Sequence, residues 1–285
     1  MQKDKTVLVT GASSGIGYEL AREFARNGHD LVLVAPSETE LNTIAEDFIR
    51  DHNIDVTVVA ADLRESEAPD EVFDQLEASG IEVDILVNNA GFGARGKFHE
   101  ITLEKDIGMI RLNIEAVVRL TKLFLPPMLE RGHGRILNVA SIAGFEPGPM
   151  LAVYHASKAF VLSLTEALAT ELEDTGVTAT ALCPGPTDTD FFPKAGMVET
   201  NAFQKANVMA PQEVATLAYP ALMRAERVFV PGAMNKAMVF ARRISPIGAQ
   251  AKMNEKMYQE TDPEDQKRVP GEIAQKAEAE SDERR

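Results

Sequence analysis

The sequence predicts an α/β fold built on a doubly wound parallel sheet, and three observations predict it. Short apolar runs rich in Val and Ile alternate with longer helix-like stretches up to about residue 190. The runs are continuous rather than alternating apolar and polar, as expected where helices cover both sheet faces. A glycine-rich turn closes the first run and opens the first helical pattern.

The elements follow in order. Thr6–Thr10 reads as a strand and Ile16–Asn27 as its helix. Asp30–Ala35 is paired with Ser37–His52, and Val56–Ala61 with Ala68–Ser79. Ile85–Asn88 precedes a long helix over Glu104–Glu130, and Arg135–Ala140 precedes one over Val153–Thr175. Val177–Leu182 is the sixth strand, and Val228–Val230, before Pro231-Gly232, the seventh. Between Asp190 and Met209 the periodicity fails, which predicts a loop or short-helix segment. Its place after the sixth strand's carboxyl end puts it near a ligand crevice. Pro211 suits the first turn of a further helix. Met234–Ile244 reads as an amphipathic surface helix carrying Lys236, Arg242 and Arg243. The expected organisation is one domain over residues 1–248, with a substrate loop at about 190–210. Residues 249–285, polar and poor in large apolar side chains, read as an acidic mobile tail.

Composition narrows the function. With 285 residues the chain can bury a full core as one large domain. Forty-four acids against 29 bases give a formal charge of −15, which argues against nucleic acid and anionic membrane surfaces as partners. Cys183 is the only cysteine and sits against an apolar run, so no internal disulfide forms and a buried structural thiol is expected. No run approaches the ~20 apolar residues of a membrane helix. The chain enters its first strand almost at once, leaving no room for a leader, so a cytoplasmic location is expected.

The turn Gly11-Ala12-Ser13-Ser14-Gly15-Ile16-Gly17 is a seat for a dinucleotide phosphate. Glycine admits φ > 0 and close backbone approach, and the following helix offers unpaired N–H groups. Alone, such a turn serves equally as a structural loop; its strand–turn–helix context favours binding. Tyr154 and Lys158 are four apart, on one helix face, with Ser141 just beyond the fifth strand. A tyrosine is a poor base near neutrality, and an ammonium beside it would lower its pKa. A phosphate cradle with such a pair points to a redox enzyme.

These motifs, with Asn88-Asn89-Ala90-Gly91, Asn113 and Pro184-Gly185, resemble the short-chain dehydrogenase/reductase family of the simple single-domain Rossmann type. The likeness extends over about residues 5–245, near 3-oxoacyl and hydroxysteroid reductases. The resemblance implies hydride transfer between a nicotinamide cofactor and an apolar carbonyl or secondary alcohol. Tyr154 would be the acid or base, Ser141 the group binding the substrate oxygen, and Lys158 a holder of ribose hydroxyls. Asn113 would position a water. Asp62 and Leu63 would border the adenine, and Asn89, Ala90 and Gly91 the adenosine. Pro184, Gly185, Thr187 and Thr189 would shape the nicotinamide side, with Ser13 and Ser14 in the phosphate turn.

The second strand ends without the acid that selects NAD, so NADP is expected with Ser37 toward its phosphate; NAD is the alternative. Phe92, Phe145, Met150, Phe191, Phe192 and Met197 predict an apolar pocket. Arg95 is expected as a solvated loop residue, His155 as structural or substrate-side, and His99 and His133 as unconnected with metal. The long helices from Glu104 and Val153 resemble those that pair between family subunits, which implies a homodimer or homotetramer. The readings that remain are an NAD-linked alcohol or hydroxysteroid dehydrogenase and a non-catalytic nucleotide-binding or scaffold protein.

Overall fold

The computed structural model describes residues 6–282, so residues 1–5 and 283–285, with the side chains of Arg243, Glu280, Ser281 and Asp282, lie outside the described residues. The first part runs β1 (Thr6–Thr10), α1 (Gly15–Arg26), β2 (Asp30–Ala35), α2 (Glu38–His52), β3 (Val56–Ala60), α3 (Ala68–Ala78) and β4 (Ile85–Asn88). It continues with α4 (Leu103–Ile110), α5 (Ala116–Arg131), β5 (Gly134–Val139), α6 (Ala152–Glu171) and β6 (Val177–Leu182). After these come α7 (Phe191–Ala195), α8 (Asn201–Gln204), α9 (Pro211–Met223), β7 (Val228–Phe229), α10 (Ala233–Arg243), α11 (Ile247–Met257) and α12 (Glu272–Asp282).

The sheet order is β3-β2-β1-β4-β5-β6-β7, and every pairing is parallel. Side chains alternate across it. Val7 and Val9 enter one core with Leu20, Phe24, Leu41 and Leu222, while Leu8 enters the other with Leu76, Leu120 and Phe124. That explains why the strands read as unbroken apolar runs. The order reverses between β1 and β4, where a crevice opens at the strands' carboxyl ends. Beneath it Asn88 Nδ2 donates to Asn138 Oδ1 at 2.9 Å, and Asn138 Nδ2 to Thr165 Oγ1 at 2.9 Å. This buried ladder ties β4, β5 and α6 together under the crevice.

Four expectations change. The long fourth helix is interrupted by a π turn over Arg111–Glu115, an extra residue that turns Asn113 inward. The C-terminal segment expected as a mobile tail folds back over the 190–210 segment. Buried Asp188 accepts from the backbone N–H groups of Gly271 and Ile273, both at 2.8 Å. Gln204 Oε1 accepts from Arg268 N at 2.8 Å, and Arg95 Nε donates to Tyr258 O at 2.8 Å. Composition concealed this because the anchors are single polar groups far away in sequence. Arg95 is therefore a clamp rather than a solvated loop residue. Arg242, expected on a surface, is buried against Glu146.

Candidate active site

A cleft of about 610 Å³ lies along the strands' carboxyl ends. At one end sits the glycine turn. Gly11 and Gly15 have φ of +65° and +57°, conformations that disfavour any side chain. A Cβ on Gly17 would stand 2.2 Å from Gly11 O and 2.3 Å from Asn89 Nδ2. Gly11 N donates to Val34 O at 2.8 Å, and Asn89 Nδ2 to Thr10 O at 2.8 Å, pinning the turn between β2 and β4. Helix α1 then starts with neither a side-chain cap at Ser14 nor an acid in its first turn, so its leading N–H groups are left for an anion.

Every cofactor candidate except Ser37 borders this cleft: Gly11, Ser13, Ser14, Gly15, Ile16, Gly17, Asp62, Leu63, Asn89, Ala90, Gly91, Tyr154, Lys158, Pro184, Gly185, Thr187 and Thr189. Ser37 instead caps α2, its Oγ accepting from Glu40 N at 3.4 Å. Arg64, which sequence reasoning passed over, borders the cleft beside Asp62, and its Nε donates to Asp62 Oδ1 at 2.9 Å. That pairing holds the Asp62 carboxyl below its usual range. Its position two residues after Asp62 was a readable signal.

At the middle, Ser141 caps a 3-10 turn over Ile142–Phe145, its Oγ accepting from Ala143 N at 3.1 Å. Helix α6 brings Tyr154 and Lys158 to the same wall. Burial pushes the Tyr154 phenol up to about 12, and a hydrogen bond with Ser141 works the other way. Lys158 Nζ donates to Val139 O at 2.7 Å and lies 5.9 Å from the centre of the Tyr154 ring. Burial draws its own pKa down to about 8. Burial thus outweighs the lowering of Tyr154 expected from Lys158, whose ammonium donates to a carbonyl.

Asn113 lies behind the cleft. Its Oδ1 accepts from Phe92 N at 3.1 Å, its Nδ2 donates to Phe92 O at 3.0 Å, and Nδ2 also reaches Ser157 Oγ at 3.0 Å. It clamps the loop after β4 to α6. Cys183 is fully buried, which pushes its thiol up to about 12, and it is structural as expected. His133 Nε2 lies 3.3 Å from Asp84, a paired surface position.

The substrate end is apolar, bordered by Phe92, Leu151, Phe191, Phe192, Met197 and Met257. Phe145 and Met150 pack instead into neighbouring cores. His155 is buried and structural. Burial lowers its pKa, so the ring is neutral: Nδ1 donates to Glu146 O at 2.9 Å, and Nε2 accepts from the Tyr258 hydroxyl at 2.7 Å. Tyr258 closes this end from the C-terminal segment. A lone tyrosine in a polar stretch carried no sequence signal.

Residues 5–201 match the family model described as short chain dehydrogenase. The chain is 34% identical over 221 residues to the ketoacyl reductase HetN of Nostoc sp., covering 76% of this chain and 75% of that one. Among solved structures, a short-chain dehydrogenase from Sphingobium yanoikuyae in complex with NADPH superposes with a TM-score of 0.75 at 34% identity, over 90% of this chain and 99% of that one. The bulky-bulky ketone specific alcohol dehydrogenase from Comamonas testosteroni gives a TM-score of 0.71 at 32% identity, over 84% and 92%.

Proposed function

The chain belongs to the short-chain dehydrogenase family and is an oxidoreductase acting on CH–OH or C=O groups, and from that premise we propose NADPH-dependent reduction of an apolar ketone. The observation that carries this reading is the convergence of Ser141, Tyr154 and Lys158 on one wall of the cleft, next to its apolar end. A phenol so placed can give its proton to the oxygen of a carbonyl under reduction.

The residues fit a dinucleotide. Gly17 leaves no room for a side chain beneath the turn, and the bare start of α1 faces the cleft. Gly11, Ser13, Ser14, Gly15, Ile16 and Gly17 would hold its phosphates, Asp62 and Leu63 its adenine, and Asn89, Ala90 and Gly91 its adenosine side. Lys158 would hold the ribose, with Pro184, Gly185, Thr187 and Thr189 around the nicotinamide. When bound, the cofactor supplies the hydride for the carbonyl carbon. Ser141 donates to the carbonyl oxygen and orients it. Tyr154 gives that oxygen its proton, leaving a phenolate that Ser141 and the Lys158 ammonium stabilise. Phe191 and Phe192 exclude water. Asn113 acts by holding the Phe92 backbone and α6 in place.

The preference for NADP rests on Arg64 rather than Ser37. No acid stands at the end of β2 to repel a 2′-phosphate, and Arg64 is the cation at that end of the cleft, its exposed side chain paired with Asp62. Titration of cofactor-free protein should give tighter binding of NADPH than NADH. Arg64→Ala should weaken NADPH roughly tenfold to a hundredfold and leave NADH little changed. Equal losses for both cofactors, or consumption of NADPH by no apolar ketone, would remove this reading.

The ketone specificity of the Comamonas relative, together with the apolar wall, supports a bulky substrate. Ile107 and Ile110 on α4 and Phe160 on α6 are exposed, which fits pairing of these helices between two copies. Light scattering should give at least a dimer at micromolar concentration; a monomer there would refute the pairing.

A further inference from the structure

The far wall of the cleft is polar where its surroundings are apolar. Glu146 and Arg242 both border it and are only 8% and 4% exposed. They form an ion pair through Oε1 and Nη1. The pairing leaves capacity unused: Arg242 Nε has no hydrogen-bond partner among the described residues, and beyond Arg242 the Glu146 carboxylate meets the side chain of buried Asn254. A buried polar atom left without a partner is destabilising. A buried ion pair is, besides, seldom more stable than apolar residues of equal volume. The pair is therefore not explained by packing alone.

Its setting ties it to the reacting groups. Glu146 follows the 3-10 turn that Ser141 caps, a turn whose four residues rise about 8 Å. The Glu146 carbonyl holds His155, the neighbour of Tyr154. Tyr258 completes the wall, its hydroxyl proton committed to His155 and its oxygen still able to accept. Arg242 and Tyr258 lie beyond residue 201, where the family match ends.

We propose that Glu146, Arg242 and Tyr258 form a second recognition subsite for the substrate, taking a hydroxyl group remote from the reacting carbonyl. The inference rests on the carbonyl-reduction reading above. The donor–acceptor pattern selects the group. A hydroxyl can donate to Glu146 Oε2 while accepting from the Arg242 guanidinium. A carboxylate would face the Glu146 carboxylate, an ammonium would face Arg242, and a hydrocarbon would leave the Arg242 N–H unmet. The substrate class is thus a hydroxyketone with an apolar body between its two oxygen functions.

The test uses matched ketones that differ only in the remote hydroxyl: androsterone and the deoxy ketone that lacks it, with monocyclic and bicyclic pairs of the same design. KM and kcat are measured with NADPH, and calorimetry gives affinity directly. In the intact protein the hydroxyl should improve kcat/KM by tenfold or more in at least one pair, mainly through KM, with a parallel gain in affinity. The double variant Glu146→Leu/Arg242→Met replaces the pair with apolar residues and avoids a stranded charge. In it the ratio should fall to within about twofold of one. A merely structural role would depress both ketones alike and leave the ratio standing. Turnover of both ketones with no preference in the intact protein would overturn the subsite alone, and a ratio that survives the double variant would do the same. No turnover of any ketone would remove the reduction reading as well.

Discussion

Replacing Tyr154 by phenylalanine is expected to lower kcat for ketone reduction by about a thousandfold while leaving cofactor affinity within a few fold. The substitution removes the phenol hydrogen-bonded to Ser141 and keeps the ring that packs 5.1 Å from Phe191, so the cleft retains its shape. Full activity in the variant would assign proton transfer to another group. Loss of cofactor binding along with activity would indicate damage to the fold.

The pH profile separates the two ionisable partners. The Tyr154 pKa is raised to about 12, so the proton needed for reduction is present throughout the neutral range and is lost only far above it. That of Lys158 is lowered to about 8, so its ammonium is present below pH 8 and disappears as pH rises through that value. The phenolate formed on proton transfer then loses its stabilising charge. Reductive kcat should accordingly be flat below pH 7 and decline with an apparent pKa near 8. A profile that rises through that range would assign the limiting ionisation to a base and contradict this arrangement.

The second large effect concerns the cradle. Gly17→Ala would force a methyl group to within 2.2 Å of Gly11 O and 2.3 Å of Asn89 Nδ2. The first obstacle is backbone held by Val34 and the second a side chain bonded to Thr10, so neither yields cheaply. A cost of about 3 kcal/mol or more is expected, lowering Tm by roughly 6–12 °C, with dinucleotide affinity falling at least a hundredfold. Gly248→Ala in α11 is the control: nothing lies within 4 Å of the added Cβ, and its effect should stay within about 1 kcal/mol. Thermal melts and cofactor titrations of the two variants decide the matter. Equal behaviour would mean that the turn relaxes.

Much of the molecule was legible before folding was considered. Strand and helix order follow from local periodicity, and the reversal of sheet order at β1 and β4 brings the glycine turn, Ser141 and the α6 residues to one crevice. Strand ends shifted by one residue where a run merges into its turn, as at Ala61 and Ala140. Ser37 misled because a hydroxyl near a phosphate end and a helix N-cap look alike in sequence. Arg64 was legible from its place two residues after Asp62, while the pairing of β3 with β2 is what brings both to the cleft.

The sequence by itself determined the layered α/β architecture, the glycine-rich turn that opens α1, and the spacing that brings Ser141, Tyr154 and Lys158 to one crevice. Each depends on residue types at short fixed spacings on regular elements. Tertiary structure alone decided how the reacting pair ionises, because desolvation is a property of the closed wall around Tyr154 and Lys158. It alone also decided the substrate end. Asp188, Gln204, Arg95 and Glu146 capture a C-terminal segment 60 or more residues away along the chain, and no local pattern encodes contacts made across that separation.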